Sequence, residues 1–212
     1  TSITFDDKIT GNQRYYLRAT GNTVPAGSGS GEVVNINNTI SYAHIIVDKV
    51  VINFTGTDEN RDIFNSEYYL EDGRTYNSRY SVLNGSASDI NLDNVVIHNA
   101  FRTWKITDSA TSKTYINIKN SELDFSGDTF YNNGVSQPQL SENIKMGILN
   151  STNSKYIIDF QFGADAQKYD SFLINSSAEY EGSEMQIDIK WLLVDDNMQY
   201  VKTGDYPIVR YT

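Results

Sequence analysis

Short alternations of apolar and polar residues, interrupted by sharp polar bends, restrict the fold of this chain more than any other feature. Ile116-Asn117-Ile118 alternates strictly, as do residues 158–162 and 187–189, while 172–174 alternate with one apolar residue in the outward position. Successive side chains of a strand point to opposite faces, so this period of two predicts strands with one buried face. No stretch shows helical spacing over three turns, and residues 164–168 are expected to form one turn at most.

The alternating segments occur in pairs joined by a polar bend. In residues 90–97 a strand is followed by Asp-Asn and then by a second strand, and residues 45–54 and 116–127 repeat the arrangement. Residues 48–52 and 93–97 also match closely in sequence. Such self-similarity predicts stacked coils of roughly 20–30 residues, with strands about 4.8 Å apart.

An antiparallel sandwich or jelly roll is the alternative. It would place Asn-Gly or Asp-Gly turns between tight strand pairs. Such dipeptides occur at 72–73, 84–85 and 133–134, but we interpret them as parts of longer polar stretches. The sequence therefore favours an all-β parallel β-helix over the sandwich. The residues predicted to lie inside it are Ile90, Leu92, Ile116, Ile118, Ile158, Phe160 and Phe162.

Three stretches break the alternation and are predicted to be loop insertions. Residues 20–32 are rich in Gly and Ser, residues 56–89 are charged and rich in Tyr, and residues 128–143 surround Pro138. In stacked coils, insertions leave the stack on one side and often carry function.

Composition excludes several classes of protein. The formal net charge is −10 and no basic stripe is present, which argues against a nucleic-acid partner. The absence of Cys excludes a disulfide scaffold and a Cys-ligated metal site. No apolar run reaches membrane-spanning length. The first residues resemble no signal peptide, and we expect the chain to be a mature fragment of a longer protein.

Residues 154–212 carry a resemblance to a known family. An Asp-bearing strand at 154–163 is followed by Asp170 before an apolar strand, then Ala178 and Gly182, an amphipathic strand at 185–189 and a Gly before the apolar strand near 208. This order is similar to the C-terminal pertactin-like or autochaperone region of type V autotransporter passengers. The resemblance implies a right-handed parallel β-helix, with coils over 1–153 and a C-terminal cap over 154–212.

The resemblance also implies a function. The chain would be a non-catalytic passenger fragment, secreted and displayed at or released from the bacterial surface as an adhesin or toxin-like virulence factor. Its C-terminal segment would nucleate folding. The implied partners are a host-cell or matrix molecule, protein or glycan, and an outer-membrane barrel in the same polypeptide. The alternative is a glycan-binding or glycan-cleaving β-helix, such as a polysaccharide lyase, a hydrolase or a phage-tail-like protein.

Candidate catalytic residues are few. Of the two histidines, His44 is expected just before the strand at residues 45–47 and His98 is expected to point outward, and no Gly-x-Ser-x-Gly elbow is present. Neighbouring acids such as Asp6-Asp7 and Asp195-Asp196 make poor acid–base pairs, because adjacent strand residues point to opposite faces. We therefore predict no catalytic residue and no enzymatic activity.

Metal and cofactor binding are not predicted either. The densest acidic cluster, residues 58–62, lacks the Asp-x-Asp-x-Asp-Gly spacing of a calcium loop. The Gly/Ser run at 27–31 lacks the Lys-Ser/Thr ending of a phosphate loop. We expect the first to be a solvated loop and the second a linker.

A cluster of Tyr and Arg in the second insertion is the candidate binding site. Exposed Tyr and Arg are typical of interface hot spots, and Tyr can stack on sugar rings. The alternative is that these tyrosines pack the insertion onto the coil beneath it. The predicted binding residues are Tyr68, Tyr69, Arg74, Tyr76, Arg79 and Tyr80.

Overall fold

The structure, a computed structural model, is built almost entirely of strands. It describes residues 2–5, 15–21, 32–41, 43–71, 75–98, 100–107, 113–126, 129–132, 135–138, 143–162, 168–175, 178–192 and 205–212. Helix within these ranges is limited to one turn, α1 (Ala100–Thr103). Most strand pairs are parallel, so the chain has an all-β parallel fold.

The strands follow one another closely along the chain. The first twelve are β1 (Ser2–Phe5), β2 (Tyr15–Thr20), β3 (Val33–Ile36), β4 (Ile40–Ser41), β5 (Ala43–Asp48), β6 (Val51–Thr55), β7 (Phe64–Glu71), β8 (Thr75–Tyr80), β9 (Val82–Ser86), β10 (Asp89–Asp93), β11 (Val96–Ile97) and β12 (Trp104–Thr107). The other twelve are β13 (Tyr115–Lys119), β14 (Glu122–Asp124), β15 (Thr129–Asn132), β16 (Val135–Pro138), β17 (Ile144–Lys145), β18 (Ile148–Thr152), β19 (Lys155–Phe162), β20 (Lys168–Tyr169), β21 (Phe172–Ile174), β22 (Ala178–Glu181), β23 (Glu184–Leu192) and β24 (Val209–Tyr211).

Parallel sheets form the body of the molecule. The largest has seven strands in the order β1-β3-β6-β10-β13-β18-β22. A second has the order β12-β9-β5-β2, a third β11-β14-β19-β23 with β20 antiparallel to β19, and a fourth β17-β21-β24. The remaining pairs are β4-β7-β8 and the antiparallel hairpin β15-β16.

The chain visits these sheets in a repeating order. From β10 it passes through β11 and β12 and returns as β13, parallel to β10. The next pass runs from β13 through β14 and β17 to β18, and the one after that through β19 and β21 to β22. The indole Nε1 of Trp104 donates to the carbonyl of Lys145 at 3.0 Å, linking β12 to β17. Each pass therefore adds one strand to the large sheet.

Rows of apolar side chains run perpendicular to the strands and form the core. In the large sheet Ile90 lies between Ile52 and Ile116, and all three are fully buried. Burial of aliphatic side chains of this size stabilises the fold by about 1.5–3 kcal/mol each before conformational entropy is subtracted. The predicted interior is confirmed for Ile90, Leu92, Ile116, Ile118, Ile158 and Phe160, whereas the side chain of Phe162 lies outside the described residues.

A row of asparagines lies between two apolar rows of the large sheet. The amide of Asn53 donates to the Oδ1 atom of Asn35 at 2.8 Å, and Asn91 donates to Asn53 at 2.7 Å. Asn117 continues the row with a 2.7 Å bond to Asn91, and Asn150 with a 2.9 Å bond to Asn117. These residues occupy the outward position of the alternation, so their amides bond to one another along the outer surface of the sheet.

The bends after the large sheet use the left-handed backbone conformation. Asn94, Asn120 and Asn153 have φ values of 56°, 51° and 47° there, and Gly182 has 61°. Asn tolerates this conformation better than other residues with a side chain because its amide can bond locally. Asn therefore occupies the left-handed position of the bend in three successive passes, and Gly occupies it in the next.

Serines stack directly behind these bends. The Oγ atom of Ser121 accepts the backbone N–H of Val95 at 3.0 Å, Ser154 accepts from Ser121 at 3.2 Å, and Ser183 accepts from Ser154 at 3.2 Å. Ser121 and Ser154 are each 2% exposed. Their hydroxyls therefore satisfy buried donors that the turning backbone leaves without a strand partner.

Several sequence-based predictions need correction. Residues 56–89 are not one loop, because β7, β8, β9 and the first residue of β10 lie within them. The strands on either side of positions 72–73 pair antiparallel, as do the strands on either side of 133–134, so the interpretation that these dipeptides do not separate paired strands is wrong. The parallel sheets still dominate, because both hairpins are additions to the passes rather than parts of the large sheet.

Smaller predictions have mixed outcomes. His44 lies within β5 rather than before a strand, and the short helix α1 was not predicted. Residues 22–31 and 163–167 lie outside the described residues. Of the turn predicted at 164–168, only the last residue is therefore described. The division into coils over 1–153 and a cap over 154–212 stays a prediction.

Candidate functional site

A two-stranded hairpin leaves the parallel body of the molecule at Phe64. The first two residues of β7 pair in parallel with β4, matching Phe64 with Ile40 and Asn65 with Ser41. From Ser66 onward β7 pairs antiparallel with β8, ending at the pair Glu71 and Thr75. In the part of the chain that the structure describes, β8 pairs with β7 alone. The hairpin therefore belongs to the small sheet β4-β7-β8 and not to the larger parallel sheets.

The base of the hairpin is fixed by buried residues on both strands. Phe64 is 1% exposed, and its ring lies 4.9 Å from that of Phe54. On the returning side, Ser81 is fully buried and its hydroxyl donates to the carbonyl of Ile40 at 3.1 Å. Leu83 then rejoins the core in β9. Both ends of the hairpin are thus held by buried contacts with neighbouring elements.

The hairpin contains the predicted binding residues. Its register pairs Tyr68 with Ser78, Tyr69 with Asn77, Tyr76 with Leu70, Arg79 with Glu67 and Tyr80 with Ser66. The backbone of five of the six predicted residues is therefore brought into one element. Arg74 lies outside the described residues, as do the side chains of the other five. Their role in binding stays a prediction.

A polar cluster formed by Arg61, Asp62 and His98 was not predicted from the sequence. The carboxylate of Asp62 lies 3.9 Å from Nε2 of His98, whose side chain is about half exposed. Burial raises the pKa of the Asp62 carboxyl, and the His98 imidazole partly opposes that rise. The Nη2 atom of Arg61 donates to the carbonyl of Asn120 at 2.7 Å.

Two atoms of this cluster have unused hydrogen-bonding capacity. Nε of Arg61 and Oδ1 of Asp62 are buried and have no hydrogen-bond partner among the described residues. A bound polar molecule or water that accepts from the guanidinium or donates to the carboxylate would satisfy them. Sequence reasoning missed this cluster because His98 is separated from Asp62 by a full pass of the chain.

The acidic stretch at 58–62 forms a tight turn. Thr57 and Asn60 exchange backbone hydrogen bonds of 3.0 and 3.1 Å, and the Asp58 carboxylate accepts from Asn94 at 3.2 Å. Asp58 and Glu59 are exposed. No group of three or more His, Asp or Glu side chains is placed to hold a metal ion within the described residues, and the prediction of no metal stays a prediction.

Two buried carboxylates lie where β19 pairs with β20. Asp159 is 2% exposed and Asp170 is fully buried. The Oδ2 atom of Asp170 accepts the backbone N–H of Asp159 at 2.8 Å, and the backbone N–H of Asp170 donates to the carbonyl of Asp159 at 3.0 Å. These bonds hold β20 and the following residues against β19, so we assign Asp170 a structural role.

Comparisons with known proteins give no match. A scan against protein-family models, a search of curated proteins and a search of solved structures each found nothing similar to this chain. The described part of the chain contains no helix that is long and apolar enough to cross a membrane.

Proposed function

We propose that this chain is a right-handed parallel β-helix that serves as a non-catalytic binding scaffold on a secreted bacterial surface protein. The hairpin β7–β8 is its binding element, and the ligand is a protein or glycan of a host cell or matrix. The passenger of a type V autotransporter, ending in an autochaperone-like cap, is the family that the sequence of residues 154–212 supports.

The repeating path of the chain supports the β-helix. Three successive passes return to the large sheet in parallel register: the register partner of Asn91 is Asn117, that of Asn117 is Asn150, and that of Asn150 is Glu179. Crossover connections between parallel strands of one sheet are right-handed in nearly all proteins. Asparagine and serine rows at corresponding positions of successive passes are typical of stacked coils.

The observation that carries the binding proposal is that β7 and β8 pair antiparallel outside the larger parallel sheets. A scaffold with buried anchors at Phe64 and Ser81 holds the hairpin in a defined position, which lowers the entropy cost of ligand binding. Tyrosine supplies contact area with few rotatable bonds and one polar hydroxyl. Four tyrosines lie on the two strands of this hairpin, at Tyr68, Tyr69, Tyr76 and Tyr80.

The binding proposal is tested with a variant in which Tyr68, Tyr69, Arg74 and Tyr76 are replaced by Ala. Binding of the purified chain to cultured epithelial cells, immobilised matrix proteins and a glycan array is measured before and after the change. We expect at least a tenfold loss of affinity, because each truncated hot-spot residue costs about 1 kcal/mol or more.

The second hairpin supplies a matched control. Phe130→Ala together with Tyr131→Ala removes aromatic side chains from β15, which also belongs to an antiparallel pair. This control should retain binding, and both variants should keep the far-ultraviolet circular dichroism of the wild type. Unchanged binding by a folded β7–β8 variant would show that this hairpin is not the site.

The glycan-cleaving alternative is tested at the polar cluster. Asp62→Asn and His98→Ala remove the carboxylate and the imidazole that lie 3.9 Å apart. Under the binding proposal, no release of reducing or unsaturated sugar ends is expected from acidic or neutral polysaccharides with the wild type. Release that disappears in both variants would replace the binding proposal with an enzymatic one.

A further inference from the structure

A row of side chains rich in Lys and Arg crosses the outer face of two parallel sheets. Its members, in order across the strands, are Arg18, Ile46, Asn84, Lys105, Lys145, Leu173 and Arg210. The first four are successive register partners in the sheet β12-β9-β5-β2, and the last three in the sheet β17-β21-β24. The hydrogen bond from Nε1 of Trp104 to the carbonyl of Lys145 joins β12 to β17, which brings the two parts together. We call these seven residues the basic row.

The basic row occupies outward positions of its strands. On β5 the residues before and after Ile46 are buried, and the same holds on β12 for the residues before and after Lys105. The four basic members and Asn84 are exposed, and Ile46 and Leu173 are half-buried. A further strand at either edge would lengthen the row rather than cover it, because side chains at these positions point away from the interior.

The charge of the basic row is opposite to that of the whole chain, which is −10. The seven strands contain one acidic residue, Asp48, and every charged residue on them has a described side chain. Asp48 lies in the adjacent outward row, where its carboxylate is 4.0 Å from Nζ of Lys49 and accepts from the Ser86 hydroxyl at 3.0 Å. The basic row itself therefore carries four positive charges and no negative one. The sequence-based statement that no basic stripe is present is wrong for this face, because the row joins residues from different passes of the chain.

The spacing and composition of the basic row fit a linear acidic polysaccharide. Neighbouring strands lie about 4.8 Å apart, which separates Arg18 from Lys105 by about 14 Å and Lys145 from Arg210 by about 10 Å along the row. A hexose of a linear polysaccharide is about as long as one strand spacing, so anionic groups on every second or third sugar reach successive cations. Between the cations, the half-buried apolar members of the row offer surface to the C–H faces of sugar rings, and the exposed amide of Asn84 can bond to hydroxyl groups.

Other polyanions fit the basic row less well. Its seven positions include no aromatic residue to stack on bases, which is how proteins hold single-stranded nucleic acid. Duplex nucleic acid and anionic membranes present broad negative surfaces, which a chain with a net charge of −10 repels. A single polysaccharide strand is narrow enough to follow one row of side chains and to stay away from the acidic remainder of the surface.

We propose that the basic row binds a linear acidic polysaccharide that runs across the strands. The carboxylate or sulfate groups of the polysaccharide lie at Arg18, Lys105, Lys145 and Arg210, and its sugar rings rest on the two apolar members of the row. Lys105 and Lys145 also have interactions within the protein, but an ammonium group has three N–H donors and retains capacity for a ligand. No member of the row belongs to β7 or β8, so the inference does not rest on the hairpin as a binding element.

The probes are fluorescein-labelled heparin and polygalacturonate fragments, which are linear and acidic, and a dextran fragment of similar length, which is uncharged. Binding to the full chain is measured by fluorescence anisotropy at low ionic strength. We expect both acidic fragments to bind, dextran not to bind, and added salt to weaken binding. Lys105→Gln with Lys145→Gln should reduce the affinity for both acidic fragments about threefold to tenfold, as should Arg18→Gln with Arg210→Gln, because exposed ion pairs are individually weak.

Two controls separate the basic row from other cations and from the hairpin. Lys119→Gln with Lys155→Gln makes the same change in net charge on β13 and β19, outside the row, and should leave the affinity unchanged. The variant with four alanines in the hairpin should also keep its affinity for both acidic fragments. Asp108→Asn with Glu142→Gln, at positions next to β12 and β17 in the chain that lie outside the described residues, should not weaken binding.

Several results would overturn the proposal. One is equal weakening by the variants of the row and by the lysine control, in variants whose urea midpoints match that of the wild type. Another is the absence of binding to both acidic fragments. Loss of binding in the hairpin variant would assign the polysaccharide to the hairpin, and tighter binding of oligothymidylate than of either acidic fragment would make the ligand a nucleic acid.

Discussion

The side-chain amide of Asn91 donates a 2.7 Å hydrogen bond to Asn53, which lies 38 residues earlier in the chain. The Oδ1 atom of Asn91 in turn accepts from Asn117, 26 residues later. One side chain thus joins three passes of the chain. Because each bond requires neighbouring strands to be in register, the asparagine row reports the alignment of the large sheet.

Replacement of Asn91 by Ala should lower the free energy of unfolding by about 1–3 kcal/mol, since it removes two hydrogen bonds of about 0.5–1.5 kcal/mol each. The control Asn84→Ala changes an exposed asparagine of β9 that lies outside the row, and its effect should stay within about 0.5 kcal/mol. Urea denaturation of both variants measures the difference. Equal losses would mean that the row contributes nothing specific.

A side chain at position 85 is expected to crowd the core. A Cβ atom at this position would lie 2.5 Å from Cδ1 of Ile90 and 3.3 Å from Cδ1 of Ile106. Gly85→Ala should therefore destabilise the protein by about 1–3 kcal/mol through overpacking. Ile90→Val removes the Cδ1 atom that is closest, so the double variant should be more stable than the sum of the two single changes predicts. Strict additivity would contradict the packing explanation.

Ala87 offers a stabilising substitution. Its φ value of 47° lies in the left-handed region, which costs a residue with a Cβ about 1–2 kcal/mol. Ala87→Gly removes this cost but adds about 0.5–1 kcal/mol of chain entropy, so a net gain of up to about 1 kcal/mol is expected. Ala100→Gly, in the buried turn α1, should instead destabilise the fold. Thermal melting of the two variants should shift in opposite directions.

Because of Tyr156, the free energy of unfolding should decrease at alkaline pH. Burial raises the pKa of its hydroxyl, which donates to Ser151 at 2.8 Å. The unfolded chain releases this proton near pH 10, whereas the folded chain retains it, so rising pH favours unfolding above about 10. From pH 8 to pH 11 this group should account for a loss of about 1 kcal/mol. Tyr156→Phe should show a smaller loss over the same interval, and an unchanged loss would disprove the assignment.

The alternation of apolar and polar residues predicted the strands and much of the interior, and the repeated strand–bend–strand units predicted that the sheets are parallel. It identifies which residues of a strand face inward, as it did for Ile90 and Ile118. It does not identify which residue of the adjacent strand pairs with a given residue, because that pairing depends on the lengths of the intervening passes. These lengths vary from 18 to 38 residues within the asparagine row alone, so the row was not predicted.

The candidate site was predicted only in part. The break in alternation and the density of Tyr located the hairpin, but not its antiparallel pairing from Ser66 to Tyr80. The charged composition of residues 56–89 hid the buried strand β9, since its apolar residues are only Val82 and Leu83. The Asp62–His98 pair depends on the fold, because no local pattern relates residues on different passes.

Cross-linking of paired cysteines tests the stacked parallel register most directly, and the chain has no native Cys to interfere. Asn117→Cys with Asn150→Cys places thiols at register partners of β13 and β18, where neighbouring strands bring the Cα atoms within disulfide distance. Asn117→Cys with Asn84→Cys places them on different sheets. Under mild oxidation the first pair should form an intramolecular disulfide, detected by mass spectrometry, and the second should not. Equal cross-linking of both pairs, or none in the first, would contradict the stacked arrangement.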